Sequence, residues 1–386
     1  MSAADGRALT VLVAPDSFKG SLTSVEVARA IAAGWSRARP MDEVLLAPLA
    51  DGGEGTTVAI EAAGGWTWQT TAATDPIGRT ISARWLRSND GARAVIELAA
   101  ASGLSRLRPD ELDPLGATTR GTGELVRAAL DAGVRDVTLG IGGSATNDGG
   151  AGILRALGAV IGDPAADRVT VDLGGLDPRL GETRLRIACD VTNPLLGPTG
   201  AAATYGPQKG ATPSDVAELD RRLERYADAL EAATGRHERE TPGAGAAGGT
   251  GFGLLCLADR FQSVDLVPGI DVVMSAADFD GKLGRADIVI TGEGRIDAQT
   301  AFGKTALGVA RRAADSGVPC IAIGGGVEPD GIEALGRLGV AVVPVVERPQ
   351  TVAEAMTAGA TPLERCGERV ARLVDLGRRV AASSTT

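Results

Sequence analysis

The sequence predicts an α/β protein in two domains: a parallel-sheet domain assembled from both ends of the chain, and a mixed α/β domain inserted between them. Three observations carry this. The length, 386 residues, suits two domains at about 150 residues each. Short β-branched runs alternate with amphipathic stretches at both ends, the pattern of successive βα units. After Gly65 the texture changes to threonine- and arginine-rich alternation, the period-2 signal of half-buried strands. These shifts put the first domain at 1–65 plus 283–386 and the insertion at 66–282.

A first strand at 9–14 runs through a loop at 15–22 into a helix with Val25, Ala28, Ile31, Ala32 and Trp35 on one face. Its start is fully signalled. Thr23 and Glu26 form a T-x-x-E capping box, with Leu22 and Val27 in the two staple positions. A second strand at 43–47 leads through 48–55 into a helix near 56–63, stopped by Gly64. In the insertion, 66–73, 80–87 and 93–98 read as antiparallel strands with Asn89-Asp90-Gly91 as a turn. A helix at 122–132, a strand at 136–139, a glycine-rich loop, a helix near 149–157, a strand ending at Ala188 and a charged helix at 213–233 follow. Residues 241–251 are so rich in glycine that they read as a loop or linker and a candidate hinge. Strands at 287–291, 319–323 and 341–346, helices near 305–314 and 331–338, and a last helix at 362–382 complete the alternation.

Composition removes several functions. A net charge of −10 and 3% aromatic residues suit neither phosphate neutralisation nor base stacking, so no nucleic-acid partner is expected. No apolar run approaches the roughly 18 residues that span a bilayer. The first seven residues mix acid and base without an apolar core, so no secretory signal is expected and the location is read as cytoplasmic. Four cysteines at 189, 256, 320 and 366 form no C-x-x-C pair, which suits a reducing compartment. The one histidine, His237, lies in a charged run and reads as solvated. Chemistry without histidine excludes Ser/His/Asp hydrolysis, His-ligated zinc and most hydride transfer. It leaves carboxylates, lysine, backbone N–H groups and hard cations.

Glycine and lysine then point to the candidate sites. The 54 glycines are about twice the usual share. Of 39 basic side chains only Lys19, Lys209, Lys282 and Lys304 are lysines. In parallel α/β sheets ligands bind beyond the carboxyl ends of strands, and the unusual loops lie there. The first contains Asp16, Ser17 and Lys19 ahead of a capped helix N-terminus, which favours an anion. The second, 48–55, sets Asp51 and Glu54 among three glycines. The third, 140–150, places Gly142, Gly143, Ser144, Thr146 and Asn147 between a strand and a helix, a composition able to nest phosphate oxygens. Two further segments carry acids: 188–194, with Asp190 and Asn193, and 291–305, with Glu293, Arg295 and Asp297 before Gly303-Lys304-Thr305. The latter is not a Walker A sequence, because Ala298 stands where the P-loop requires glycine.

Seven segments together resemble the type I glycerate kinases: APDSFKGSL at 14–22, PLADGGEGT at 48–56, GTGEL at 121–125, GIGGSATNDGGAG at 140–152, CDVTNPL at 189–195, YGPQKGA at 205–211 and TGEGRIDAQT at 291–300. They occur in order over almost the whole chain. The resemblance implies ATP- and Mg²⁺-dependent phosphorylation of D-glycerate, usually to 2-phosphoglycerate. It also implies a flavodoxin-like domain with a restriction-enzyme-like insertion. Arg120 departs from the tyrosine expected before GTG.

Residue roles follow from the chemistry of phosphoryl transfer, which asks for positioning and charge neutralisation. The 140–150 loop is expected to cradle the ATP phosphates. Asp190, with Glu293, is the candidate Mg²⁺ ligand set. Lys19 and Lys304 would neutralise the transferring phosphate or the glycerate carboxylate, which Arg295 would bind in a bidentate way, with Asp16 and Ser17 beside the substrate. Asp297 or Asp51 would accept the hydroxyl proton. Three alternatives stand beside this reading: the same kinase giving 3-phosphoglycerate, an NAD-dependent oxidoreductase using residues 140–145 with Asp163 as ribose acid, and a non-catalytic anion-binding protein. The oxidoreductase lacks an acid/base such as histidine, and Asp163 follows a helix.

Overall fold

The computed structural model describes residues 7–50, 55–298 and 305–383, and the chain divides into two compact units. Among the described residues one unit takes in 7–50, 58–64 and 273–383, and the other 55–57 and 65–272.

The first unit is built on five parallel strands, in the spatial order Glu43–Leu46, Thr10–Pro15, Ile288–Ile296, Cys320–Val327, Ala341–Pro344. Counted along this unit the order is 2-1-3-4-5, that of the flavodoxin-like doubly wound sheets. Val11 to Ala14 are fully buried because this strand is flanked on both sides and covered on both faces. The helix Ser24–Ala38 starts at the Thr23 capping box, with both reciprocal bonds made. It packs against the long helix Thr361–Ser383 through Ile31, Trp35, Cys366 and Val370. Gly34 permits this approach, since a Cβ there would lie 1.9 Å from the Glu364 carbonyl oxygen.

Lys282, for which sequence reasoning offers no role, is a clamp inside this unit. Its Nζ donates to Leu46 O at 3.0 Å and to Ala63 O at 2.9 Å. Those carbonyls end the strand Glu43–Leu46 and the helix Thr56–Ala62, where a cation also complements the helix dipole. Burial pushes the Lys282 amine down from its usual range, against the pull of Asp278. Lys282→Met should destabilise this unit by about 1–3 kcal/mol, the cost of stranding two part-buried carbonyls. Denaturant unfolding followed by circular dichroism measures it, and a midpoint equal to the parent's would return the lysine to a surface role.

The second unit holds a six-stranded sheet in the order Ser263–Val267, Arg184–Ala188, Asp136–Gly140, Arg93–Glu97, Thr80–Ser88, Trp66–Thr74. The last three are antiparallel, as the alternation predicts, and the remaining pairs are parallel. Helix Arg120–Asp131 begins two residues earlier than expected, and helix Ala151–Ala156 is shorter because Gly149 and Gly150 adopt positive φ (63° and 76°).

The larger correction concerns 241–251, which is neither linker nor exposed hinge. From Gly243 to Gly251 the residues are buried apart from Ala247, and they lead into the helix Ala246–Cys256, interrupted where Ala247, Gly248 and Gly249 take positive φ. The glycines serve close approach. A Cβ at Gly245 would meet Pro194 O at 2.2 Å, one at Gly248 would meet Thr146 O at 1.9 Å, and one at Gly253 would meet Gly149 O at 2.2 Å. The segment is a wedge packed against both the 189–194 and the 146–150 loops.

Candidate active site

In the first unit the sheet order makes Thr10–Pro15 and Ile288–Ile296 neighbours, the switch point at which doubly wound sheets open a crevice. Pro15 pairs in register with Gly292, and the Asp16 N–H donates to Gly292 O at 2.8 Å. The Asp16 carboxylate then accepts from its neighbour Ser17 N–H at 2.6 Å and from Thr305 Oγ1 at 2.6 Å. The aspartate thus ties the first strand-end loop to the start of the helix Thr305–Asp315, the threonine of the G-K-T step. Gly294 and Gly325 keep this corner narrow: added Cβ atoms would reach Phe18 Cα at 3.2 Å and Gly294 O at 2.6 Å.

Three more candidates lie on the overhang of Ile288–Ile296. Glu293 is buried, and Asp297 has a side chain 16% exposed. Arg295 faces outward, its guanidinium bonded to Glu328 and 3.6 Å from Asp297. Lys19 is exposed. Asp51, Glu54 and Lys304 lie outside the described residues.

In the second unit the glycine loop follows Asp136–Gly140, and Asp190 follows Arg184–Ala188. Gly140 and Ala188 are register partners, so both features leave the same end of adjacent strands, about 4.8 Å apart. Sequence reasoning could not place Asp190 beside this loop, because their pairing joins segments some 50 residues apart. Asp190 is exposed, and its Oδ1 accepts the Gly269 N–H at 2.9 Å at the start of the helix Gly269–Ala276. Asn193 is engaged by Tyr205, whose hydroxyl donates to Oδ1 at 2.7 Å, and donates to Thr199 O at 2.8 Å.

Within the loop the side chains of Ser144, Thr146 and Asn147 are buried, while Gly142 is half-buried and Gly143 exposed. What the loop shows to solvent is therefore the peptide backbone of Gly142 and Gly143. The buried part is held on three sides. Asp148 Oδ2 accepts Thr119 N–H at 2.8 Å, Thr119 Oγ1 at 2.9 Å and Gly152 N–H at 3.0 Å, and Oδ1 accepts Gly150 N–H at 3.1 Å. Gly248 closes a second side, its carbonyl accepting Gly149 N–H at 3.0 Å. Lys209, from the third, donates Nζ–H to Thr146 O at 2.6 Å.

Among the described residues no group of three or more His, Cys, Asp or Glu could hold a metal. Asp190 and Glu293 belong to different compact units. His237 has an 83% exposed side chain 3.3 Å from Glu231, away from these loops in sequence and role.

Comparison with known proteins identifies the family. The model of the glycerate kinase family matches residues 11–375. The chain belongs to the glycerate kinase family. It is 43% identical over 394 residues to a glycerate kinase of Bacillus subtilis, covering 97% of each chain. It is 40% identical over 385 residues to the glycerate 2-kinase of Escherichia coli, covering 97% of this chain and all of that one. A crystal structure of a Salmonella typhimurium LT2 protein assigned as glycerate kinase 2 superposes with a TM-score of 0.84 at 40% identity, over 97% of this chain and 100% of that one.

In this glycerate kinase family member, the dinucleotide fingerprint reading of 140–145 loses its second half. Asp163 accepts the Ala165 N–H at 2.9 Å in a local turn after the two-residue strand Val160–Ile161, which pairs antiparallel with Val171–Asp172. It ends no parallel strand where a ribose would sit. Sequence reasoning gave no role to four residues that hold these loops, Asp148, Lys209, Gly248 and Thr305, although the scarcity of lysine had marked Lys209. Asp148 had a signal, an Asx residue ahead of two glycines at a helix start, whereas the other three act through contacts remote in sequence.

Proposed function

We propose that this enzyme transfers the γ-phosphoryl group of ATP to the 2-hydroxyl of D-glycerate, giving 2-phosphoglycerate, with Mg²⁺ as the counter-cation and the cytoplasm as its location. The observation that supports it best is the glycine rim at 142–143, clamped from beneath and set beside Asp190, in a chain that matches the glycerate kinase family from residue 11 to 375.

Backbone N–H groups at such a rim suit phosphate oxygens, and the rim's preorganisation spares reorganisation during transfer. Mg²⁺ takes one or two protein carboxylates and completes its shell with phosphate and water, so the exposed carboxylate of Asp190 fits its demand, and Glu293 is the second candidate. When bound, the ion neutralises charge on the phosphates. Lys19 and Lys304 are assigned to the remaining negative charge, Asp16 and Ser17 to the acceptor side. Arg295 would take the glycerate carboxylate on exchange of its Glu328 partner. The proton of the attacking hydroxyl goes to Asp297 or Asp51.

The test is a product assay. With ATP and D-glycerate, coupling to enolase alone should register product directly. Signal that appears only after a phosphoglycerate mutase is added means transfer to the 3-hydroxyl, and no glycerate-dependent loss of ATP sinks the kinase reading. NADH absorbance in the same mixture without coupling enzymes should stay flat.

A further inference from the structure

One lysine inside the glycerate kinase motifs enters the scheme above only as a clamp on the glycine loop. Lys209 sits on the short turn Pro207–Lys209, closed by Gly210 at φ 93°. The backbone is tight there: the Lys209 N–H donates to Gly206 O at 2.9 Å and the Gly210 N–H to Pro207 O at 3.1 Å. This turn sends the whole side chain inward until it is 1% exposed. At its tip Nζ lies 2.6 Å from Thr146 O and 3.5 Å from Asn147 Oδ1.

A buried ammonium is costly, and a methionine of similar length would fill the same space without that cost. Burial pushes the Lys209 amine down to about 7, with Asp148 pulling the other way. Both recorded contacts of the cation are to the glycine loop. Thr146 O is also the atom that Gly248 approaches closely, so loop and lysine are fitted to one geometry. The Asn147 amide, once oriented, donates to Pro114 O at 3.4 Å. A charge held beneath a rim of peptide groups acts through a low-dielectric interior, where it is felt far more strongly than across water.

We propose that Lys209 is a positioning residue for the nucleotide phosphates: from beneath the 142–150 loop it orients Thr146 and Asn147 and, in its protonated form, brings positive charge to the rim at Gly142 and Gly143. This rests on the assignment of that loop to nucleotide phosphates.

Two variants separate its functions. Lys209→Gln keeps a donor for Thr146 O without the charge, and Lys209→Met keeps length without either. Calorimetric titration of the full chain with ADP and with adenosine, plus steady-state kinetics, reads the effect. Both variants should weaken ADP binding and raise KM for ATP by tenfold or more, Met the more strongly, while adenosine affinity and KM for glycerate stay within twofold. A folded variant with unchanged ADP affinity overturns the proposal. So does equal weakening of ADP and adenosine, the mark of a general structural role. A wild-type chain that binds no ADP overturns the loop assignment and this inference together, whereas wild-type binding with unaffected variants overturns this inference alone. One measurement needs no Lys209 variant to fold. With four lysines in the chain, ¹⁵N-lysine NMR resolves the side-chain nitrogens, with Lys209 assigned by elimination through variants of the other three. ADP should displace the Lys209 Nζ signal and adenosine should not; a signal that ADP leaves in place overturns the proposal.

Discussion

Asp190→Asn should lower kcat with ATP and D-glycerate by about 10²–10³-fold, the range for losing one preorganised electrostatic group at a reacting centre, while leaving the thermal midpoint within a few degrees of the parent. The separation of the two effects comes from geometry. Asp190 Oδ1 accepts the Gly269 N–H at 2.9 Å, and an asparagine carbonyl accepts the same bond. What asparagine removes is the negative charge on an exposed strand-end side chain, the property a hard cation requires. Asp190→Ala, by contrast, removes both and should also cost stability of about 1.5–3 kcal/mol, the range for a hydrogen bond to a charged group. Turnover of Asp190→Asn near the parent's would remove Asp190 from the metal assignment and leave it as a helix cap.

The second large effect falls on stability. Gly248→Ala should destabilise the second unit by about 4 kcal/mol or more, adding backbone strain in the left-handed region to overpacking. The added Cβ would stand 1.9 Å from Thr146 O and 2.7 Å from Asn147 Cα, both backbone atoms that no rotamer change can move aside, at φ 67°. Relief requires the glycine loop itself to shift, so the fraction that folds should also show a raised KM for ATP. Denaturant titration together with nucleotide kinetics reads both. A destabilisation under about 1 kcal/mol would show that the wedge at 241–251 yields easily, and with it the claim that this wedge fixes the loop.

These two positions mark how far the letters of the chain reach. Asp190 was visible as an acid near a strand end, yet its neighbour on the adjacent strand was not, because parallel pairing joins 136–140 to 184–188 through a long crossover. Gly248 was visible as one glycine among many and was assigned to a loop or linker. Glycine is used both where backbone must be free and where another backbone must come close, and the sequence alone does not distinguish these uses.

Local physics was legible throughout. The Thr23 and Glu26 capping box, the arrest of a helix at Gly64, the hairpin turn at Asn89-Asp90-Gly91 and the strand–helix alternation at both ends depend on residues within a few positions of one another. The scarcity of lysine, a property of the whole composition, singled out Lys209 and Lys282 before any role was known. Which lysine would be buried, and against what, was decided by packing. The Lys282 amine meets carbonyls more than 200 residues away, and the Lys209 amine a loop more than 60 residues away. By itself the sequence determined most of the elements, the order of the motifs and the chemistry available to them, because those follow from neighbouring residues. Only the tertiary structure decided which strand ends became adjacent, which glycines admit a second backbone and which charge lies beneath the loop, because each depends on pairings between distant segments that the whole fold selects.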